Sequence, residues 1–277
     1  MVLDSVALVK YENNIRKTLE TGIGLIDGFK TLKSPVLIKP NICTQVDKTG
    51  YAVNDVQVVE ALIKMILEEN QDLSIKIVES DSISKFADEA YIKFGYRSLE
   101  EKMQISGYDV SLINLTHSPT TEINFEGSYF KNPKLPEILL GSKFLISLAV
   151  AKTHFLTFLT GTLKNLFGLL PRKDQTFYHP HINDVIVDLN RLIRSDLCIV
   201  DARVGLEGWA GPKSRRLDRF IIGKKPVSTD ATMARIMGFE PERIQHLIEA
   251  GKCDLGSLNP NVVGESIEAS IVKFNPP

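Results

Sequence analysis

The chain has 277 residues, which is enough to bury a sizeable hydrophobic core in one large or two small domains. Its 33 Lys and Arg residues are offset by 34 Asp and Glu residues, so the net charge of −1 gives no reason to expect a nucleic-acid partner or an acidic membrane partner. Three cysteines, Cys43, Cys198 and Cys253, are far apart and form no CxxC motif, which argues against a disulfide framework or a cysteine-rich metal site.

The amino-terminal segment and the longest apolar run indicate the expected compartment. Residues 1–14 lack the basic stretch followed by an apolar stretch that is typical of a secretory signal. The apolar run over residues 144–151 is too short to cross a bilayer. We therefore expect a cytoplasmic protein with no membrane partner.

Short apolar runs alternate with amphipathic segments along most of the chain. The predicted strands cover residues 5–10, 35–38, 73–78, 144–150, 197–200, 219–223 and 267–274. The predicted helices cover residues 13–30, 55–69, 84–94, 97–105, 182–195, 231–237 and 241–250, and residues 160–170 also fit a helix. This alternation predicts an α/β fold in which a mainly parallel sheet is flanked by helices.

Residues 108–140 differ from the rest of the chain. Short alternating runs are separated there by Pro119, Pro133 and Pro136, which predicts a small β-rich insertion or subdomain. For residues 1–277 as a whole we expect a single α/β domain, and a two-lobed arrangement is left open.

Polar residues follow the ends of four predicted strands. They are Lys39 and Asn41, Glu79 and Asp81, Lys152 and His154, and Asp201. One polar strand end carries little information, since every strand must emerge into a loop. Because ligands of open parallel sheets bind beyond the carboxyl ends of the strands, four such ends predict a shared ligand site.

Lys39 and Lys152 suggest the charge of the ligand. Ammonium groups at strand ends suit a phosphate, a carboxylate or a carbonyl that becomes an enolate, whereas the alternative is a side chain that simply leaves the core for solvent. The ordinary pKa of histidine lies near neutrality, so His154 suits proton transfer or ligand hydrogen bonding. We predict Lys152 and His154 as catalytic residues, and Lys39 and Asn41 as ligand-binding residues.

Lys164 and Asn165 form a second basic and amide pair. Lys164 lies in a nearly uncharged segment, where an ammonium without a partner is costly to bury, and the alternative is that it reaches solvent. Only Pro180 separates His179 from His181, and this spacing does not place both rings on one helix face. We therefore predict His179 as a ligand contact and no metal site.

Two further candidates lie in the last third of the chain. The Gly-rich segment 202–217 is predicted as a loop whose backbone amides cradle an anion, with Gly211 as a ligand-binding residue. It has neither a GxGxxG nor a GxxxxGK[ST] pattern, so no nucleotide fingerprint is claimed. Asp230 is predicted to bind ligand, and its alternative role is to cap the helix that follows it.

These motifs together resemble the domain-of-unknown-function family 362. The residues that carry the resemblance are KPN at 39–41, KTHFLTFLTGTLKNLFGLLP at 152–171, HPHINDVIVDLN at 179–190, IVDA at 199–202, GP at 211–212 and GKKPVSTDATMA at 223–234. The resemblance spans roughly residues 5–240 and strengthens the Lys, His, Asn and Asp candidates, but it identifies neither a reaction nor a cofactor. Some members of the family carry an added iron–sulfur segment, which this chain lacks because its cysteines form no cluster motif.

Three hypotheses of function follow. The first is an enzyme that acts on a small anionic metabolite or cofactor, by proton transfer or by a redox reaction. The second is a non-catalytic module that binds or carries an anionic cofactor in the same basic site. The third is an interaction protein in which residues 108–140 dock a partner or form a homodimer.

Overall fold

The computed structural model describes residues 4–30 and 32–277. The strands are, in chain order, β1 (Ser5–Lys10), β2 (Val36–Lys39), β3 (Ile75–Glu79), β4 (Val110–Asn114), β5 (Thr120–Glu122), β6 (Lys134–Pro136), β7 (Phe144–His154), β8 (Phe158–Thr160), β9 (Leu197–Glu207), β10 (Lys213–Gly223) and β11 (Asn261–Gly264). The helices are α1 (Ile15–Leu25), α2 (Val56–Glu69), α3 (Ala87–Lys93), α4 (Tyr96–Ile105), α5 (Glu137–Gly141), α6 (Thr162–Asn165), α7 (Ile182–Leu192), α8 (Pro226–Ile236) and α9 (Gln245–Gly251).

The main sheet is mixed but mostly parallel. Within the described residues it has nine strands, in the order β11-β1-β10-β9-β7-β2-β3-β4, with β8 paired to β7. The five strands from β9 to β4 in this order run parallel to one another, whereas β10 and β8 are antiparallel to their neighbours. The predicted α/β fold with a mainly parallel sheet is confirmed.

Alternating residues of the central strands pack into two hydrophobic cores, one on each face of the sheet. On β7, Phe144 and Ile146 contact the core that includes α1 and α2, and Leu145 and Ala149 contact the core that includes α7 and α8. Such alternation follows from the two-residue period of a strand that is buried on both faces.

The segment 108–140 divides between two sheets. Its first run becomes β4, which pairs in parallel with β3 at the edge of the main sheet. The remainder contributes the small antiparallel sheet of β5 and β6. The small β-rich element is therefore present, but it begins after β4. The single-domain organisation stays a prediction.

Three other predictions about elements are wrong. The helix expected over 13–30 is shorter at both ends: α1 begins after Asn14, whose side chain accepts a hydrogen bond from the backbone N–H of Lys17, and it ends at Leu25. The expected loop over 202–217 is mostly a hairpin of β9 and β10. The last strand is β11, and residues 267–274 hold a short 3-10 turn instead of a strand.

None of the helices in the described ranges has the length and apolar character needed to cross a bilayer. Residues 1–3 of the segment tested for a secretory signal lie outside the described residues.

Candidate functional site

A cavity of about 290 Å³ opens at the carboxyl ends of β2 and β3 and beside β7 and β8. Seven of the ten predicted site residues line it, namely Lys39, Asn41, Lys152, His154, Lys164, Asn165 and His179. The described residues that line the cavity include four lysines, at positions 39, 85, 152 and 164, and a single carboxylate, Glu79. The cavity is therefore strongly cationic.

Two of these lysines share Glu79. The ammonium of Lys39 lies 2.8 Å from Glu79 Oε2, and that of Lys85 lies 3.3 Å from Glu79 Oε1. All three side chains are almost fully buried. Burial lowers the pKa of Lys39, and the Glu79 carboxylate opposes that shift. A buried carboxylate between two ammonium groups leaves this part of the cavity with an excess positive charge.

Gly168 allows the chain to cross close to this cluster. A Cβ atom at position 168 would lie 2.7 Å from Glu79 Oε1 and 2.9 Å from Lys39 Cε. Both distances are shorter than van der Waals contact. The glycine of the KNLFG segment thus permits the 3-10 turn after α6 to approach the Lys39–Glu79 pair.

Lys152 is held by neutral acceptors. Its ammonium donates to Asn41 Oδ1 at 2.6 Å, to the carbonyl of Ala52 at 2.6 Å and to Cys43 Sγ at 3.3 Å. A lysine ammonium has three hydrogens, so this set of acceptors uses all of them. Lys152 is 0% exposed. It supplies positive charge to the cavity but has no free hydrogen for a ligand.

Asn165 joins the strand ends to α6. Its Nδ2 donates to the carbonyls of Lys39 and Leu148, at 2.9 and 3.1 Å, and its Oδ1 accepts from Asn41 Nδ2 at 3.3 Å. These bonds tie β2 and β7 to the helix that carries Lys164. The role of Asn165 in this geometry is to position the strand ends and α6.

Lys164 differs from the other three lysines. In residues 4–30 and 32–277 its ammonium forms no hydrogen bond or ion pair. It lies over the ring of Phe167, 5.2 Å from the ring centroid. Burial lowers the pKa of Lys164 to about 8, and the charge of Lys152 acts in the same direction. An ammonium in such a position is open to an anionic ligand.

His154 is a neutral hydrogen-bond donor at physiological pH. Burial lowers its pKa to about 2, and the charge of Lys164 adds to the effect. Its Nδ1 accepts from the backbone N–H of Leu156 at 3.1 Å. A neutral ring that accepts at Nδ1 carries its proton on Nε2. His154 therefore lines the cavity with its proton on Nε2, and its low pKa makes it a weak base.

His179 also lines the cavity. It is partly buried, and burial and the charge of Lys164 lower its pKa. No group of three or more His, Cys, Asp or Glu side chains in the described part of the chain is arranged to hold a metal ion.

The structure places Asp201 in a second cavity, of about 540 Å³. Instead of ending a strand, Asp201 lies within β9, and its Oδ2 accepts from Arg203 Nη2 at 2.7 Å. Arg203 also reaches Asp55, the residue that caps α2. Asp201 is therefore separated from the lysine cluster and is neutralised by its neighbour.

Gly211 lies in the turn of the β9–β10 hairpin. A Cβ atom there would lie 2.0 Å from the carbonyl oxygen of Glu207, so the turn itself requires a glycine. Trp209, in the same turn, lines the cavity. A ligand role for the Gly211 amide stays a prediction.

Asp230 does not cap the helix that follows it, because α8 begins earlier, at Pro226. Its buried carboxylate instead accepts from the backbone N–H of Thr162 at 2.7 Å and of Leu163 at 2.9 Å. It therefore caps the first turn of α6 from a neighbouring helix. Burial raises the pKa of Asp230 to about 6.

Lys85, Cys43 and Thr160 are among the cavity side chains that sequence reasoning did not select. Lys85 reaches Glu79 because residues 82–85 turn back on themselves, with Ser82 and Lys85 joined through their backbones. Thr160 lies opposite Lys152 in the register of β7 and β8. Each of these positions depends on contacts between segments and carries no signal in the local sequence.

A search of curated proteins finds no match to the chain. A family model described as a domain of unknown function, DUF362, matches residues 36–235. The matched region begins at β2 and ends in α8, and it includes every residue that the lysine-rich cavity brings together. The chain belongs to the DUF362 family.

Proposed function

We propose that this chain is an enzyme that binds a small molecule bearing a phosphate or carboxylate group in the lysine-rich cavity. The observation that carries the proposal is Lys164, a cavity-lining ammonium that has no anionic partner within the described residues while the other lysines are satisfied. The anion accepts a hydrogen bond from the Lys164 ammonium, and His154 donates its Nε2 hydrogen to the same group.

Lys164 is also the group best suited to move a proton. Its pKa of about 8 lies close to physiological pH, whereas that of His154 lies near 2. General acid–base catalysis is most effective when the pKa of the catalytic group lies near the operating pH. We infer that Lys164 exchanges a proton with the bound molecule, while the buried charges of Lys39, Lys85 and Lys152 stabilise negative charge that develops on it.

A comparison of two lysine variants tests anion binding. Lys164→Met is expected to weaken binding of inorganic phosphate about 10- to 100-fold, the loss typical of one charge-assisted hydrogen bond. Lys143→Met is the matched control, because Lys143 is exposed just before the amino end of β7, far along the strand from Lys152. Isothermal titration calorimetry measures both. Equal affinities of the two variants for phosphate would contradict the proposal.

A non-catalytic carrier is the second candidate, and the full set of partners around Lys152 favours it, since a fixed cationic cavity can hold an anion without reacting. Pyruvate in D₂O separates the two, because it offers a carboxylate beside exchangeable C–H groups. An enzyme that transfers protons is expected to accelerate loss of the methyl proton NMR signal, and Lys164→Met is expected to abolish the acceleration. Binding without exchange would favour the carrier.

We also propose a cytoplasmic location. Cys43, Cys198 and Cys253 are free thiols in the structure, which is typical of proteins that fold in a reducing compartment.

A further inference from the structure

Exposed apolar side chains surround the mouth of the cationic cavity. Ile83, Phe155 and Trp209 line it, although 66%, 65% and 38% of their surfaces remain exposed. Phe86 and Phe177 are also exposed, and each lies within three residues of a lining residue. We call these five side chains the apolar rim. Single exposed apolar residues are ordinary, whereas a group around one cavity marks an interaction site.

The rim carries cations of its own. The guanidinium of Arg172 lies 3.9 Å from the centre of the Phe177 ring, and the ammonium of Lys173 lies 3.9 Å from that of Phe86. The nearby carboxylate of Asp174 is engaged with the backbone N–H and the hydroxyl of Thr176. The rim therefore favours a ligand that is both apolar and negatively charged.

The hydroxyl of Thr160, a residue that lines the cavity, lacks a hydrogen-bond partner among the described residues. The residue is 6% exposed, and its Oγ1 is buried. A buried hydroxyl without a partner is costly. A ligand oxygen that reaches Oγ1 would remove this cost, which makes Thr160 a candidate hydrogen-bond partner for an occupant of the cavity.

Phe155 suggests what the apolar part of the ligand is. Its ring is stacked on that of His154, with 4.9 Å between the centroids and 11° between the planes. The ring is thus held in place beside the donors of the cavity while most of its surface stays exposed. Four of the five rim side chains are aromatic, and rings held in one orientation lose little entropy when a flat molecule covers them.

We propose that the ligand is an aromatic anion. Its phosphate or carboxylate group lies against Thr160, His154 and Lys164, and its aromatic body covers the rim at Phe155 and Trp209. This inference rests on the proposed function, because it assigns the substrate class of the same cavity.

The test compares two probes and three variants by calorimetry. Phenyl phosphate is expected to bind about 5- to 150-fold more tightly than inorganic phosphate, since stacking on a protein ring contributes roughly 1–3 kcal/mol. Phe155→Ala is expected to remove most of that advantage, because it removes the ring that the aromatic body of the ligand covers. Trp209→Ala is expected to act in the same direction. Ile105→Ala, at a position that is 87% exposed outside the rim, is the control.

The outcomes separate this inference from the proposed function. If inorganic phosphate binds and phenyl phosphate binds no more tightly, the cavity holds anions but the aromatic class is wrong. If neither probe binds, both proposals fail. Sedimentation velocity tests whether the rim instead binds a second copy of the chain. If the wild-type chain is a dimer and Phe155→Ala and Trp209→Ala convert it to a monomer, the rim is a dimer interface and the inference is overturned.

Discussion

The four cavity lysines look alike in sequence but are in different electrostatic situations. Lys39 and Lys85 share the carboxylate of Glu79, and Lys152 donates to three neutral acceptors. Lys164 has neither kind of partner among the described residues. Because charge without a partner is what an incoming anion neutralises most favourably, ligand affinity is expected to follow the protonation state of Lys164 more than that of the other three.

The affinity for sulfate is expected to depend on pH through Lys164. Sulfate keeps its charge of −2 across the range, so its affinity reports the protein alone. Lys164 is positively charged below its pKa of about 8 and loses its proton as the pH rises through that value. Sulfate affinity is therefore expected to be constant from pH 6 to 7.5 and to fall above pH 8. His154, with a pKa of about 2, contributes no change over this range.

Calorimetric titrations at half-unit intervals from pH 6 to 9.5 measure this profile. Lys164→Met is expected to bind sulfate weakly with a flat profile, and Lys143→Met to keep the profile of the natural chain. A natural chain whose affinity stays constant to pH 9.5 would show that another group holds the anion.

Sequence reasoning found the donors of the cavity more readily than their partners. Lys39, Lys152 and Lys164 stand out because each follows or interrupts an apolar segment. The partnership of Lys39 with Glu79 was not predictable, because it requires β2 and β3 to be neighbours 40 residues apart in the chain. Asp201 was misplaced for a different reason, since β9 continues past it and its bond to Arg203, two residues further on, lies within that strand.

At the scale of elements, β7 and β9 are longer than predicted. Polar residues were taken as strand ends, yet Lys152 and Asp201 lie inside strands that continue to His154 and Glu207. A polar residue breaks an apolar pattern whether it leaves the core or meets a buried partner there. Only tertiary contacts distinguish the two cases, as the acceptors of Lys152 show.

The short helix α6 is expected to depend on the carboxylate of Asp230. It has four residues, and Asp230 satisfies two of its first backbone N–H groups with two carboxylate oxygens. In Asp230→Asn, one of those N–H groups would face an amide nitrogen, which cannot accept a hydrogen bond. At pH 7.5 the substitution is expected to lower the free energy of unfolding by about 1–3 kcal/mol. It should also weaken phosphate binding, since α6 carries Lys164.

Urea denaturation followed by far-UV circular dichroism measures the first effect, and calorimetry the second. Asp184→Asn is the matched control, because Asp184 is exposed on α7 and is expected to change stability by less than about 0.5 kcal/mol. Unchanged stability of Asp230→Asn would mean that α6 does not depend on the carboxylate.

At the scale of the whole molecule, the class of the fold was predictable and the order of the strands was not. Apolar runs that alternate with amphipathic segments indicate a parallel sheet with helices on both faces. By contrast, β1 pairs with β10 and β11, from the other end of the chain. Such pairing reflects distant contacts, and no local pattern encodes it. One consequence is that β1 and β11, the first and last strands of the described chain, are neighbours in a single sheet.

The continuity of the main sheet bears on how the two cores unfold. The sheet runs without a break from β11 to β4, and each central strand contributes to both cores. We therefore expect the two faces to unfold together as a single domain. Leu62→Ala, in the core beside α2, and Leu189→Ala, in the core beside α7, should each cost about 2–5 kcal/mol.

Two probes of urea unfolding test this cooperativity: far-UV circular dichroism reports all elements, and fluorescence reports Trp209, the only tryptophan of the chain. In one cooperative domain, the dichroism midpoint and the fluorescence midpoint of a given variant shift by the same amount, because both probes follow the same transition. In a two-lobed chain, Leu62→Ala and Leu189→Ala would move the fluorescence midpoint unequally and make the dichroism curve biphasic. Coincident shifts in both variants are the expected result, since neither core can be exposed while the strands between them remain paired.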